Sequence, residues 1–166
     1  MAGGLPVLED LPRSLLTLWP KLKPALRVLQ KRGGTGAILF VGTAQALQAC
    51  RRIARAVDAH CEELPRETFT QSEFNSRVYN PIMKRERQQD LFSPSPARLC
   101  VILPNLDARG EWVHLKLKRI LERPKWPSII LATAAHEKVL PTYLNGHFNV
   151  CRKKGAPRGS HHRRKR

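Results

Sequence analysis

Glycines 33, 34, 36 and 42 and Thr43, in the stretch "RGGTGAILFVGTAQALQACRRIARAV" over residues 32–57, are the residue types best suited to phosphate chemistry. A phosphate loop of the G-x-x-x-x-G-K-[ST] kind needs glycines and a lysine between a strand and the helix after it. The turn after "AILFV" offers Gly42-Thr43-Ala44-Gln45, one glycine and no lysine. Gly33, Gly34 and Gly36 lie before the strand, at the end opposite to where parallel sheets bind ligands. They predict a turn. Asp107, beyond "VILPNL", lacks a partner lysine or threonine and predicts a solvated loop carboxylate. The six histidines form no H-x-x-x-H pair, and no serine stands in a G-x-S-x-G elbow. Cys50, Cys61, Cys100 and Cys151 form no C-x-x-C, which excludes a zinc ribbon. Cys50 and Cys100 fall in apolar patterns and predict buried reduced thiols. The expectation is a chain with no catalytic residue, no metal site, no cofactor and no small-molecule substrate.

Charge points elsewhere. The 166 residues carry 30 Lys+Arg against 13 Asp+Glu, a net charge of +17, and such a field attracts polyanions. Residues 151–166 contribute eight of the cations and no acid, but the remainder is basic too. The candidate nucleic-acid contacts are Arg51, Arg52 and Arg55, then Lys84, Arg85 and Arg87, then Arg152, Lys153, Lys154, Arg158, Arg163, Arg164, Lys165 and Arg166. Arg66, Arg77, Lys116 and Lys118 are further cations within reach of phosphates. Phe74, Tyr79 and Phe92 suit stacking on unpaired bases or packing on the domain equally well. A basic tail supplies backbone affinity rather than sequence recognition. No apolar run approaches the roughly 18 residues of a membrane span, so no membrane insertion is expected. No secretory signal is visible.

Elements must position these residues. Residues 1–20 read as an N-terminal arm, with a helix from about Lys21 or Pro24 to Lys31 whose stripe is Leu22, Ala25, Leu26 and Leu29. "AILFVG" suits a parallel strand buried on both faces. Thr43 then caps a helix running to about His60, and "HCEELP" is a short strand. Residues 66–97 read as an irregular insertion with at most short helices. A strand at 98–103, a helix at about 110–122 and a strand at 128–134 follow, then a loop and docking segment to residue 150 and the basic tail. Alternation of this kind predicts one α/β domain over 21–150. It would be three-layered and doubly wound, with a mainly parallel, Rossmann- or flavodoxin-like sheet.

The stretch Ile38-Leu39-Phe40-Val41-Gly42-Thr43, with Gln45-Ala46 opening the next helix, resembles the universal small-subunit ribosomal protein S-two family. That family has I-L-F-V-G-T followed by K-x-Q-A. "TFTQSEF" sits where the family has T-L-T-N-F, and "VLPTYLNGHFNV" where it has its Y-P-I-P-G-N-D loop. Ala44 replaces the family's lysine, and there is no room for its long helical hairpin. The resemblance implies a reduced organellar member and a non-catalytic α/β domain at the head–body junction of a mitochondrial small ribosomal subunit. It implies small-subunit rRNA and neighbouring ribosomal proteins as partners. Two other readings stand beside it. One is a nucleotide- or phosphate-dependent α/β enzyme acting on nucleic acid, with its ligand near Thr43, Asn105 and Thr133. The other is a non-ribosomal RNA-binding module.

Overall fold

Gly36–Val41 (β1), Leu99–Leu103 (β3) and Ser128–Ala134 (β4) are the apolar strands, buried almost without interruption. Near-continuous burial is the mark of strands covered on both faces by helices. In the computed structural model, which describes residues 11–31, 36–42, 44–57, 60–91, 99–123, 128–136, 138 and 140–154, these three lie side by side. Two polar strands, His60–Glu63 (β2) and Asn149–Arg152 (β5), form the edges, giving a five-stranded order β2-β3-β4-β1-β5. Every neighbouring pair is parallel, with Gly36 opposite Ile129, Ile38 opposite Asn149, Leu99 opposite Ser128 and Cys61 opposite Cys100. The three-layer, doubly wound α/β class expected from the pattern is the fold.

One layer holds Arg13–Leu18 (α1), Leu22–Lys31 (α2) and Ala44–Ala56 (α3). Leu22, Leu26 and Leu29 of α2 and Leu47, Cys50 and Ile53 of α3 cover Ile38, Phe40, Cys100 and Ile102 of the sheet. Gly36 lies flat against this layer: a Cβ there would come within 2.0 Å of Leu29 Cδ2, and its φ of +154° already disfavours an L side chain. The opposite layer holds Gln71–Phe74 (α4), Asn80–Leu91 (α5), Glu111–Leu121 (α6) and Thr142–Asn145 (α7). Phe74, Val78, Ile82, Val113, Leu117 and Leu144 cover Leu39, Val101 and Ala132 from that side.

Three expectations are corrected. The segment read as an irregular insertion is helical from Gln71 to Leu91, with a π-helical turn over Asn75–Tyr79 joining α4 and α5. Thr70 and Glu73 make a capping box at its start, each side chain bonding the other's backbone N–H at 3.0 Å. Pro81, which cannot donate to the residue one turn back, lies two residues past the end of the widened π-turn. The segment read as loop and tail forms β5, whose Cys151 is fully buried. The described part of the N-terminal arm, residues 11–20, is part of the core: Leu11 and Trp19 are buried, and Trp19 meets Phe40 edge-on at 5.1 Å between ring centroids. Thr43, Phe92 and the tail beyond residue 154 lie outside the described residues.

Trp19→Ala should therefore cost about 3–5 kcal/mol in urea unfolding, the range of a buried large aromatic. A loss below about 1 kcal/mol would show that the arm does not hold the core.

Candidate phosphate site at the start of helix α3

Both faces of β2 are tied down by acid–guanidinium pairs. Glu63 faces α3, where Arg51 grips it with Nε at 2.9 Å from Oε1 and Nη2 at 2.5 Å from Oε2. Glu62 faces the other layer, where Arg77 Nε lies 2.9 Å away and His60 Nε2 2.7 Å away. Partial burial pushes the Glu62 carboxyl up, but these hydrogen bonds from His60 and Arg77 outweigh it and hold the group below the usual range. The Arg51 guanidinium is likewise held more basic than usual by its bond to Glu63.

The carboxyl ends of β2 and β3 are closed. Arg109 Nη2 donates to the carbonyls of Pro65 at 2.6 Å and Pro104 at 2.8 Å, and its Nη1 donates to Glu67 O. Partial burial lowers its pKa, as it must for a cation drawn into a loop. Asn105 sits in the left-handed region (φ 55°) and its N–H donates to Thr133 Oγ1 at 2.9 Å. Asp107 is not simply solvated: its Oδ2 accepts the His136 N–H at 2.8 Å and fixes the exit of β4. Asn105 and Thr133 are thus brought together, but on each other. Their polar groups hold the loop.

The remaining rim lies outside β1, β4 and β5. The connections leaving β1 and β4 run in opposite directions across the sheet, which makes this crevice the topological switch point where open α/β sheets bind ligands. The free N–H groups of a helix start and its dipole favour an anion, and α3 begins here at Ala44. Lys153, one residue past β5, reaches the same turn, with Nζ 2.5 Å from Gln45 Oε1. A lysine thus arrives from the last strand, although the β1–α3 turn contains none.

Gln45 also lines a groove of about 480 Å³ between α1 and α3, with Trp19, Gln48, Arg51, Arg52 and Arg55. Within it the fully buried Trp19 leaves its indole Nε1 without a hydrogen-bond acceptor. Neither α2 nor α3 contains an acid. Lys23, Arg27 and Lys31 are exposed at successive turns of α2, about 6 Å apart along its axis. In the sequence this cationic stripe is masked by the apolar stripe Leu22, Ala25, Leu26 and Leu29 with which it interleaves.

The sequence-predicted contacts are scattered over the molecule. Arg52 and Arg55 are exposed on α3, and Arg51 is engaged by Glu63. Lys84 is exposed on α5, Arg85 donates to Pro81 O at 3.2 Å, and the Arg87 side chain lies outside the described residues. Arg152 and Lys153 close β5, and the Lys154 backbone N–H is bonded to Leu18 O at 2.7 Å. Arg158, Arg163, Arg164, Lys165 and Arg166 lie outside the described residues. Phe74 is no base-stacking platform: it is buried between Phe69 and Trp112. Tyr79 carries Lys116 over its ring at 4.4 Å. Among the described residues no group of three or more His, Cys, Asp or Glu could hold a metal ion, and no helix is long and apolar enough to cross a membrane.

No protein-family model matches the chain, and no curated protein matches it significantly. Solved structures do. A DNA polymerase III gamma subunit-related protein from Thermotoga maritima aligns with a TM-score of 0.55 at 14% identity, over 80% of this chain and 45% of that one. The RuvB Holliday junction branch migration motor of the same organism aligns with a TM-score of 0.55 at 13% identity, over 86% and 45%. Drosophila ORC bound to AT-rich DNA and Cdc6 aligns with a TM-score of 0.51 at 14% identity, over 84% and 55%. The chain spans about half the length of these neighbours.

The likeness is one of α/β fold, and none of these neighbours is a ribosomal protein, so the resemblance to the ribosomal S-two family is overturned. The misleading signal was the six-residue strand, an apolar run with a glycine exit that any doubly wound sheet can use at its centre. With that resemblance fall the small-ribosomal-subunit and mitochondrial-translation role, and the rRNA and ribosomal-protein partners. The expectations of no enzymatic activity and no small-molecule substrate fall too, because the solved structures that share this fold include a branch migration motor and a polymerase subunit-related protein.

Arg109→Lys loses the fork that spans two loops. It should lower stability by about 1–3 kcal/mol and speed amide exchange over residues 64–70. Unchanged exchange there would show that another contact holds the loop.

Proposed function

We propose that this chain is the core of a nucleotide-dependent module that acts on DNA. The observation that carries the reading is the meeting of Lys153 with the first turn of α3 at the switch point of the sheet. Phosphates placed there would gain the helix dipole, the first-turn N–H groups and a lysine ammonium together. The groove beside it has the volume of a small-molecule site, and the unpaired Trp19 N–H and the Gln48 amide offer donors and an acceptor to a base or sugar. A nucleoside triphosphate bound there supplies a transferable γ-phosphoryl group. The chain's own residues orient and neutralise its phosphates.

The acid-free layer of α2 and α3 is the complementary feature. Lys23, Arg27, Lys31, Arg52 and Arg55 present a cationic face to solvent with no carboxylate on either helix. Such a face fits the regularly spaced phosphates of a duplex. The fold neighbours, among them a Holliday junction branch migration motor and ORC bound to DNA, favour DNA as the polyanion.

Two titrations test this. A fluorescent ATP analogue should bind the full chain, and Lys153→Ala should weaken it roughly 10-fold or more, the worth of one charge-assisted hydrogen bond. No binding at millimolar nucleotide would reject the reading. In duplex-DNA anisotropy, Lys23→Ala/Arg27→Ala/Lys31→Ala should flatten the log-log salt dependence by about 0.9 per lost phosphate contact. An unchanged slope would remove α2 from the DNA surface.

A further inference from the structure

We propose that Cys61 and Cys100 form an oxidative modification site, a reversible disulfide across β2 and β3. The two residues are register partners on adjacent parallel strands. Strands in a sheet run about 4.8 Å apart, within the roughly 4.4–6.8 Å between Cα atoms that a disulfide spans. Both thiols lie on the α3 side. Cys100 packs with Cys50 and Ile53 in that core, while Cys61 opens into a cavity of about 520 Å³ with Arg51, Ala54, Arg55 and Glu63.

The pair is asymmetric in the way an attacking and a resolving thiol must be. Cys61 is exposed, and Cys100 is buried. A hydrogen bond between the two thiols lowers the Cys61 pKa, with His60 adding to the effect, while the same bond and burial raise that of Cys100. The other thiols are shielded: burial pushes Cys50 well up and Cys151 up to about 12. Access, thiolate character and a second thiol in register therefore coincide only at Cys61.

The co-reactant is a hydroperoxide. The Cys61 thiolate attacks the O–O bond, forming a sulfenic acid and releasing hydroxide or alkoxide. The Cys100 sulfur then attacks the sulfenic sulfur. The S–S bond forms, the S–O bond breaks, and the hydroxyl leaves as water with the Cys100 proton. Two electrons pass from the two thiols to the peroxide, and a dithiol reductant returns them. β2 is a four-residue edge strand, so it can close the small remaining gap without disturbing the buried strands.

The test uses the full chain and hydrogen peroxide. Mild oxidation should remove two thiols, lower the mass by two hydrogen atoms, and give a Cys61–Cys100 cross-linked peptide that dithiothreitol dissolves. Cys61→Ser, at an exposed position, should protect Cys100 completely. Cys100→Ala should leave a sulfenic acid at Cys61 that dimedone traps. Oxidation of Cys61 only to a sulfinate or to an intermolecular disulfide, with Cys100 still reduced in the folded chain, would overturn the proposal. So would loss of the Cys100 thiol in Cys61→Ser.

Discussion

Covering both faces of β1, β3 and β4 is the constraint from which the rest of this molecule follows. Their burial is nearly complete, and apolar area removed from water stabilises at about 25 cal/mol per Å². Neither face can be left open, so the chain must return over the sheet on both sides. That requirement sets the parallel order and places α1–α3 on one face and α4–α7 on the other. It also leaves the starts of the helices at the carboxyl edge, where an anion is welcome. The location of the site is thus a consequence of core burial.

Charge is distributed according to that layering. The edge strand β2 presents one acid to each side, and each is taken by an arginine from the layer it faces. These pairs are partly exposed and individually weak, worth about 0–1 kcal/mol each. Their greater effect is to neutralise Arg51 and Arg77, so the cationic face is carried by the exposed residues of α2 and α3. At the other corner, the guanidinium of Arg109 closes the β2 and β3 rim with backbone carbonyls. Beside β1 and β5 the rim sets a lysine, Lys153, next to the start of α3.

Much of this was legible in the sequence, and the misses have physical causes. The apolar runs of β1, β3 and β4 and the stripes of α2, α3 and α6 announced themselves, because burial on two faces or one leaves a strong period. The α4–α5 segment was hidden. Among its described residues the fully buried ones are Phe74, Val78 and Ile82, one per turn among polar residues, and the π-turn and Pro81 break the regular spacing. β5 was missed because a four-residue edge strand has too little pattern to read. Lys153 reads as tail in the sequence for the same reason, and its place beside Gln45 depends on β5 pairing with β1. Trp19, between two prolines' worth of turn, gave no hint that it anchors the N-terminal segment on Phe40.

Backbone NMR of the full chain titrated with a nucleoside triphosphate tests phosphate binding at the start of α3 most directly. Binding there should move the amide resonances of Gly42, Ala44, Gln45 and Lys153 first and furthest. Shifts absent altogether, or confined to the Lys23–Arg27–Lys31 stripe with the first turn of α3 unmoved, would contradict it.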